Sequence, residues 1–139
     1  VRVPVIVNGD IGAPDDAICA LEQSGAHGVM LGRAAMGRPW LVGQVAAALD
    51  GRSWHEPTRR EKLSSLCEQI EDSVALYGPR LGVLTVRKHV SAAIDTLDLG
   101  VSATERRALR SQLCQIQDWK ELTAALRHVY LQPDLVEAV

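Results

Sequence analysis

Two short polar stretches each follow an apolar run, and both have the residue types to bind an anion. Asn8-Gly9-Asp10 follows the run from Val3 to Val7, and Gly32-Arg33 follows Gly28-Val29-Met30-Leu31. Glycine lets a backbone approach a bound group closely. Arginine adds a charge-assisted, bidentate contact to a phosphate. Asn8 and Asp10 add polar side chains beside them. The alternative is that both stretches are plain turns, and their local pattern leaves the two readings open.

Other reactive side chains form no comparable group. The three cysteines, Cys19, Cys67 and Cys114, are odd in number and lack CxxC spacing. On helices among apolar neighbours they read as reduced core residues. The four histidines show no metal-ligand spacing, so no metal is expected. Basic residues recur in the second half: Arg59, Arg60 and Lys62; Arg87 and Lys88; Arg106, Arg107 and Arg110; Arg127 with His128. Such groups can track a nucleic-acid backbone or form a solvated face of ordinary ion pairs. Val83, Val86 and Val90 make an apolar stripe that excludes Arg87 and Lys88, so both are expected to reach solvent.

The elements that must position these residues are legible in outline. The valine-rich run from Val3 to Val7 suits a strand buried on both faces of a parallel sheet, with Pro4 near its start. Pro14, Asp15 and Asp16 open a helix with Ala17, Ile18 and Leu21 on its apolar face, and Ser24-Gly25 closes it. Gly28 to Leu31 is a second strand. A short helix over Ala34 to Gly37 and a longer one from Pro39 to Leu49 follow. This is the order of two βα units.

Asp50 to Pro57 reads as a linker. Beyond it, apolar residues at helical spacing mark a helix from Thr58 to Tyr77, broken by Gly78-Pro79. Another helix runs through Val83 to Leu97 and closes near Gly100. A third is capped by Ser102 or Thr104, and a last begins at Asp118, carries Trp119 in the core and ends at Pro133. The second half is therefore a small helical bundle. Domains are expected at residues 1–52 and 53–139.

The 139 residues are 47% hydrophobic and 23% charged with a net charge of −2. That is ordinary globular composition and excludes a global basic field. No apolar run has the length of a membrane span, and no signal peptide is evident. The chain begins with Val1 rather than Met, and two parallel strands leave open edges and little core. More strands are expected upstream in a longer protein, or self-association through the exposed edges.

VPVIVNGDI followed by GAHGVMLGRAAMGRPW closely resembles the end of the catalytic barrel of tRNA-dihydrouridine synthases, in their bacterial, nitrogen-regulation-like branch. VRKHV, around Arg87 to His89, resembles a segment of that family's C-terminal helical domain. The aromatic pair that often follows it is replaced by Ser91-Ala92-Ala93. The resemblance implies an α/β plus all-α chain: the last two βα units of a TIM-type (β/α)8 barrel, then a helical bundle that grips tRNA. It implies FMN at the strand ends, contacted by Asn8, Gly9 and Asp10, with Gly32 and Arg33 on its phosphate. NADPH or NADH would reduce the flavin, which delivers hydride to a tRNA uridine, giving 5,6-dihydrouridine. The cysteine that protonates the ring would lie upstream of Val1, so no catalytic residue is expected here and the chain alone should be inactive. Arg87, Lys88 and Arg38 are the RNA-binding candidates, and a cytoplasmic location follows. Two rivals share parts of the pattern. One is another phosphate-binding flavin barrel, which would not need the bundle. The other is a non-catalytic RNA-binding or regulatory module.

Overall fold

The computed structural model describes residues 2–131. The chain forms two compact units, Val1–Glu56 and Pro57–Val139.

The first unit is built on a parallel pair, β1 (Ile6–Asn8) and β2 (Gly28–Met30), joined by α1 (Pro14–Ser24). The register sets Ile6 opposite Gly28, Val7 opposite Val29 and Asn8 opposite Met30, so both strands stop at one level. The pairing is extended by His27, whose amide donates to the Val5 carbonyl at 2.7 Å and whose Nδ1 accepts from the Val5 amide at 3.0 Å. The start of α1 is set locally. Pro14 occupies the first turn, and Asp16 Oδ2 accepts from the amides of Gly12 and Ala13, each at 2.9 Å. Gly25, at φ 63°, ends the helix in the left-handed conformation. A single 3-10 turn, Arg33–Ala35, and α2 (Leu41–Leu49) complete the unit. Ile11, Ala17, Leu41 and Val45 form its core, with Val29 and Leu31 packed against them.

Three expectations need correction here. The first strand is not buried on both faces: Ile6 is 55% exposed and Val5, just before it, 42%. Within this unit α1 lies against the pair. Cys19 is exposed rather than in the core, because it lies off the side of α1 that Ala17 buries. The short helix sits one residue earlier than Ala34, at Arg33, and α2 begins at Leu41 rather than Pro39.

The second unit is helical. Thr58 caps α3 (Arg59–Thr96) in a reciprocal arrangement with Glu61. Gly78, at φ 79° and ψ 165°, and Pro79 break α3 into two arms. Ser73 Oγ donates to the Gly82 carbonyl at 3.0 Å. In a continuous helix residues nine apart would lie about 13 Å apart, so the chain must double back at Gly78. The arms face each other through Ile70 and Val74 on one side and Val83 and Val86 on the other. Ser102, not Thr104, caps α4 (Ala103–Gln115) with Glu105. Asp118 caps α5 (Trp119–Leu131) by accepting from the amides of Lys120 and Glu121. Leu113, Leu122, Leu126 and Tyr130 close the core from α4 and α5. Trp119 packs half-buried at its edge rather than inside it, with the Lys120 ammonium 5.6 Å from its ring centre. The expected stop at Pro133 lies outside the described residues.

Candidate anion-binding cleft and basic surfaces

Because the two strands end level, the segments that follow them meet. Asn8, Gly9 and Asp10 from one side, and Gly32 and Arg33 from the other, line one open cleft of about 450 Å³. Ile11, Gly12, Met30 and Ala34 complete its wall. Ile11, Gly12 and Met30 were missed from the sequence, although each adjoins one of the two polar stretches, whereas Ala34 belongs to the short helix expected there. Methyl groups placed on Gly9 or Gly32 would meet no atom within 4 Å, so both positions open onto free space. Arg33 Nη2 lies 3.2 Å from Asp10 Oδ1, with the side chains 90% and 96% exposed. A pair so exposed contributes little to stability and is easily exchanged for another anion. The donor set fits a phosphate group: a solvent-facing guanidinium and two glycine backbones without side-chain cover.

Arg38 has a different place. Its Nη2 donates to the Gly12 carbonyl at 2.9 Å, and the side chain is half-buried. It ties the segment after β2 to the segment after β1, so it buttresses the wall of the cleft.

In the helical unit the basic residues divide by partner. Arg106 donates to the carbonyls of Ile94 and Leu97, and Arg59 donates to that of Asp98, so both hold the C-terminal end of α3. Arg110 pairs with Asp95 at 2.7 Å. Arg127 lies beside Cys67, where its charge and hydrogen bond oppose a burial effect that pushes the thiol up. These are structural contacts rather than a continuous basic face.

Lys88 is exposed, as expected, but Arg87 is half-buried. Its Nε is buried and has no hydrogen-bond partner among the described residues. Beside it on the helix, burial and the Lys88 charge hold the His89 imidazole below its ordinary value. Tyr130 is pushed up to about 12, chiefly by burial and then by Cys67.

Among the described residues, no three of His, Cys, Asp and Glu gather as a metal site. No described helix is long and apolar enough to cross a membrane.

The family model described as dihydrouridine synthase matches residues 1–133. A Rhodobacter capsulatus protein named "Probable tRNA-dihydrouridine synthase" is 45% identical over 91 residues, which is 65% of this chain and 28% of that protein. The tRNA-dihydrouridine synthase B of Pseudomonas aeruginosa is 32% identical over 133 residues, 95% of this chain and 38% of that protein. That of Escherichia coli is 39% identical over 92 residues, covering 66% of this chain and 29% of the relative. The chain thus spans well under half the length of the relatives it matches.

Proposed function

This chain belongs to the dihydrouridine synthase family, and from that premise we propose that it is the C-terminal part of a flavin-dependent enzyme that reduces uridine in tRNA. In this reading residues 1–52 are the last two βα units of a TIM-type barrel, and 53–139 are its tRNA-binding domain. The observation that carries it is the convergence of Asn8, Gly9, Asp10, Gly32 and Arg33 on one cleft at the carboxyl ends of parallel strands. Parallel α/β folds bind ligands at such ends, and barrels often hold a phosphate after their last two strands.

Gly32 and Arg33 would hold the FMN phosphate, and Asn8, Gly9 and Asp10 would contact the cofactor beside it. Asp10 pairs with the Arg33 guanidinium at the cleft, where that group would be available to a phosphate. Arg38 holds the Gly12 segment in place. FMN, when bound and reduced by NADPH or NADH, supplies the hydride for the uracil ring. None of Cys19, Cys67 and Cys114 lines the cleft, so the proton for the ring would come from another part of the enzyme. Arg87 and Lys88 would contact tRNA, and the protein would work in the cytoplasm.

The test is the visible absorption spectrum of the protein extended upstream of Val1. A flavin spectrum that bleaches with NADPH, and that Arg33→Ala loses on gel filtration while Arg127→Ala keeps it, is the expected result. A colourless protein that also refuses added FMN would overturn the cofactor assignment and favour a non-catalytic RNA-binding module. Equal flavin retention in both variants would remove Arg33 from the phosphate site.

A further inference from the structure

The helical unit holds a second, smaller cavity of about 170 Å³, lined by Arg80, Val83, Leu84, Arg87 and Gln117. The first four lie at i, i+3, i+4 and i+7 along the second arm of α3, so they share one helix face. Gln117 comes from the short connection between α4 and α5. The lining residues therefore bring two arginines and a glutamine together, with no carboxylate among them. Val83 is buried, whereas Leu84 is 46% exposed, so the cavity has an apolar floor and an apolar rim.

Arg87 is the unusual member. Arg59, Arg106 and Arg110 each spend their guanidinium on a carbonyl or carboxylate of this unit. Arg87 Nε is buried without an acceptor among the described residues. A buried donor with no partner is unfavourable, and two arginines on one wall repel each other. Both costs vanish if an oxyanion enters.

We propose that this cavity binds one phosphodiester group of an RNA strand, with Arg80 and Arg87 on its free oxygens, Gln117 donating from the opposite side and Leu84 against the adjoining sugar. A tetrahedral oxyanion accepts from several directions at once, which suits donors that arrive from two segments. The small volume holds a single phosphate, and the open side lets a polymer enter and leave. The proposal rests on the reading of the helical unit as a tRNA-binding domain. It adds a discrete site to what would otherwise be a diffuse basic surface.

The test compares the full chain with Arg87→Lys and Gln117→Glu for binding of unfractionated tRNA at two salt concentrations, with inorganic phosphate and polyglutamate as further probes. Arg87→Lys keeps the charge but removes Nε and the planar fork. It should weaken tRNA binding about tenfold despite the unchanged net charge. Gln117→Glu places a carboxylate where the phosphate would sit. It should weaken tRNA binding to a similar degree while leaving the melting temperature equal or higher, because the new carboxylate pairs with the arginines. A purely structural role would lower the melting temperature instead. If the parent chain binds tRNA and both variants bind it equally well, the proposal is refuted while the tRNA-binding reading stands. If the parent chain binds no tRNA, both fall. Arg87-dependent binding of phosphate or polyglutamate with variant-independent tRNA affinity would assign the cavity to a free anion or an acidic peptide, and would also overturn the proposal.

Discussion

Gly82 packs its backbone tightly against the first arm of α3, and replacing it with alanine should cost the helical unit much of its stability. A methyl group at Gly82 would lie 2.6 Å from Val74 Cα, 2.7 Å from the Ser73 carbonyl oxygen and 2.7 Å from the Val74 nitrogen. Carbon atoms in contact prefer about 3.5–4.0 Å, so the arms must separate by roughly 1 Å. All three obstructing atoms are backbone, and no rotamer change can relieve the clash. Overpacking of this kind costs about 1–3 kcal/mol, and the rigid surroundings put Gly82→Ala near the top of that range. Separation also stretches the 3.0 Å hydrogen bond from Ser73 Oγ to the Gly82 carbonyl, a loss of about 1 kcal/mol. The better helix propensity of alanine offsets a similar amount. The net loss of about 3 kcal/mol corresponds to a fall in melting temperature of roughly 12–24 °C for a domain of this size. Thermal unfolding followed by far-ultraviolet circular dichroism reads it, with Leu81→Ala, at an exposed position one residue away, as the control. A Gly82→Ala melting temperature within about 4 °C of the control would mean that the arms do not pack as described. The chain reversal at Gly78 would then lose its main support.

Further outcomes follow from the same structure. His89 has its imidazole value depressed below 6.5 by burial and by Lys88, so the folded state prefers it neutral. Its contribution is complete above that value and is lost as pH falls below 6.5 and through the depressed folded value; denaturant titrations across this range should show the loss, and His89→Gln should flatten it. The exposed edges of β1 and β2 should make the isolated chain self-associate, and Ile6→Lys, at an exposed position of β1, should return it toward monomer in sedimentation velocity. A monomeric parent chain at micromolar concentration would refute this. Arg38→Ala should lower stability by about 1 kcal/mol through loss of its bond to Gly12, yet leave the tRNA affinity of the longer protein within twofold. A larger loss of affinity would make Arg38 an RNA contact after all.

Local chemistry was readable because it depends on a few neighbouring residues. Pro14 with Asp16 starts α1, Gly25 ends it, Ser102 caps α4, and Gly78-Pro79 interrupts α3, each as the residue types require. The alternation of apolar run and helix likewise anticipated two parallel strands joined by α1. Burial was less readable. The valines of the first strand have the composition of a fully buried element, but burial is a property of what packs against them, and Val5 and Ile6 remain 42% and 55% exposed.

The sequence by itself determined the order of elements, their caps and breaks, and the residue types at the strand ends, since these follow from backbone preferences acting over a few residues. Tertiary structure alone decided which of those residues meet. The register of β1 on β2 brings Asn8 level with Met30 and so joins two separate loops into one cleft. The reversal at Gly78 and the packing of α4 and α5 turn Arg59 and Arg106 onto α3 carbonyls and bring Gln117 beside Arg80 and Arg87. Such meetings depend on packing between segments far apart in the chain, and no pattern of neighbouring residues encodes them.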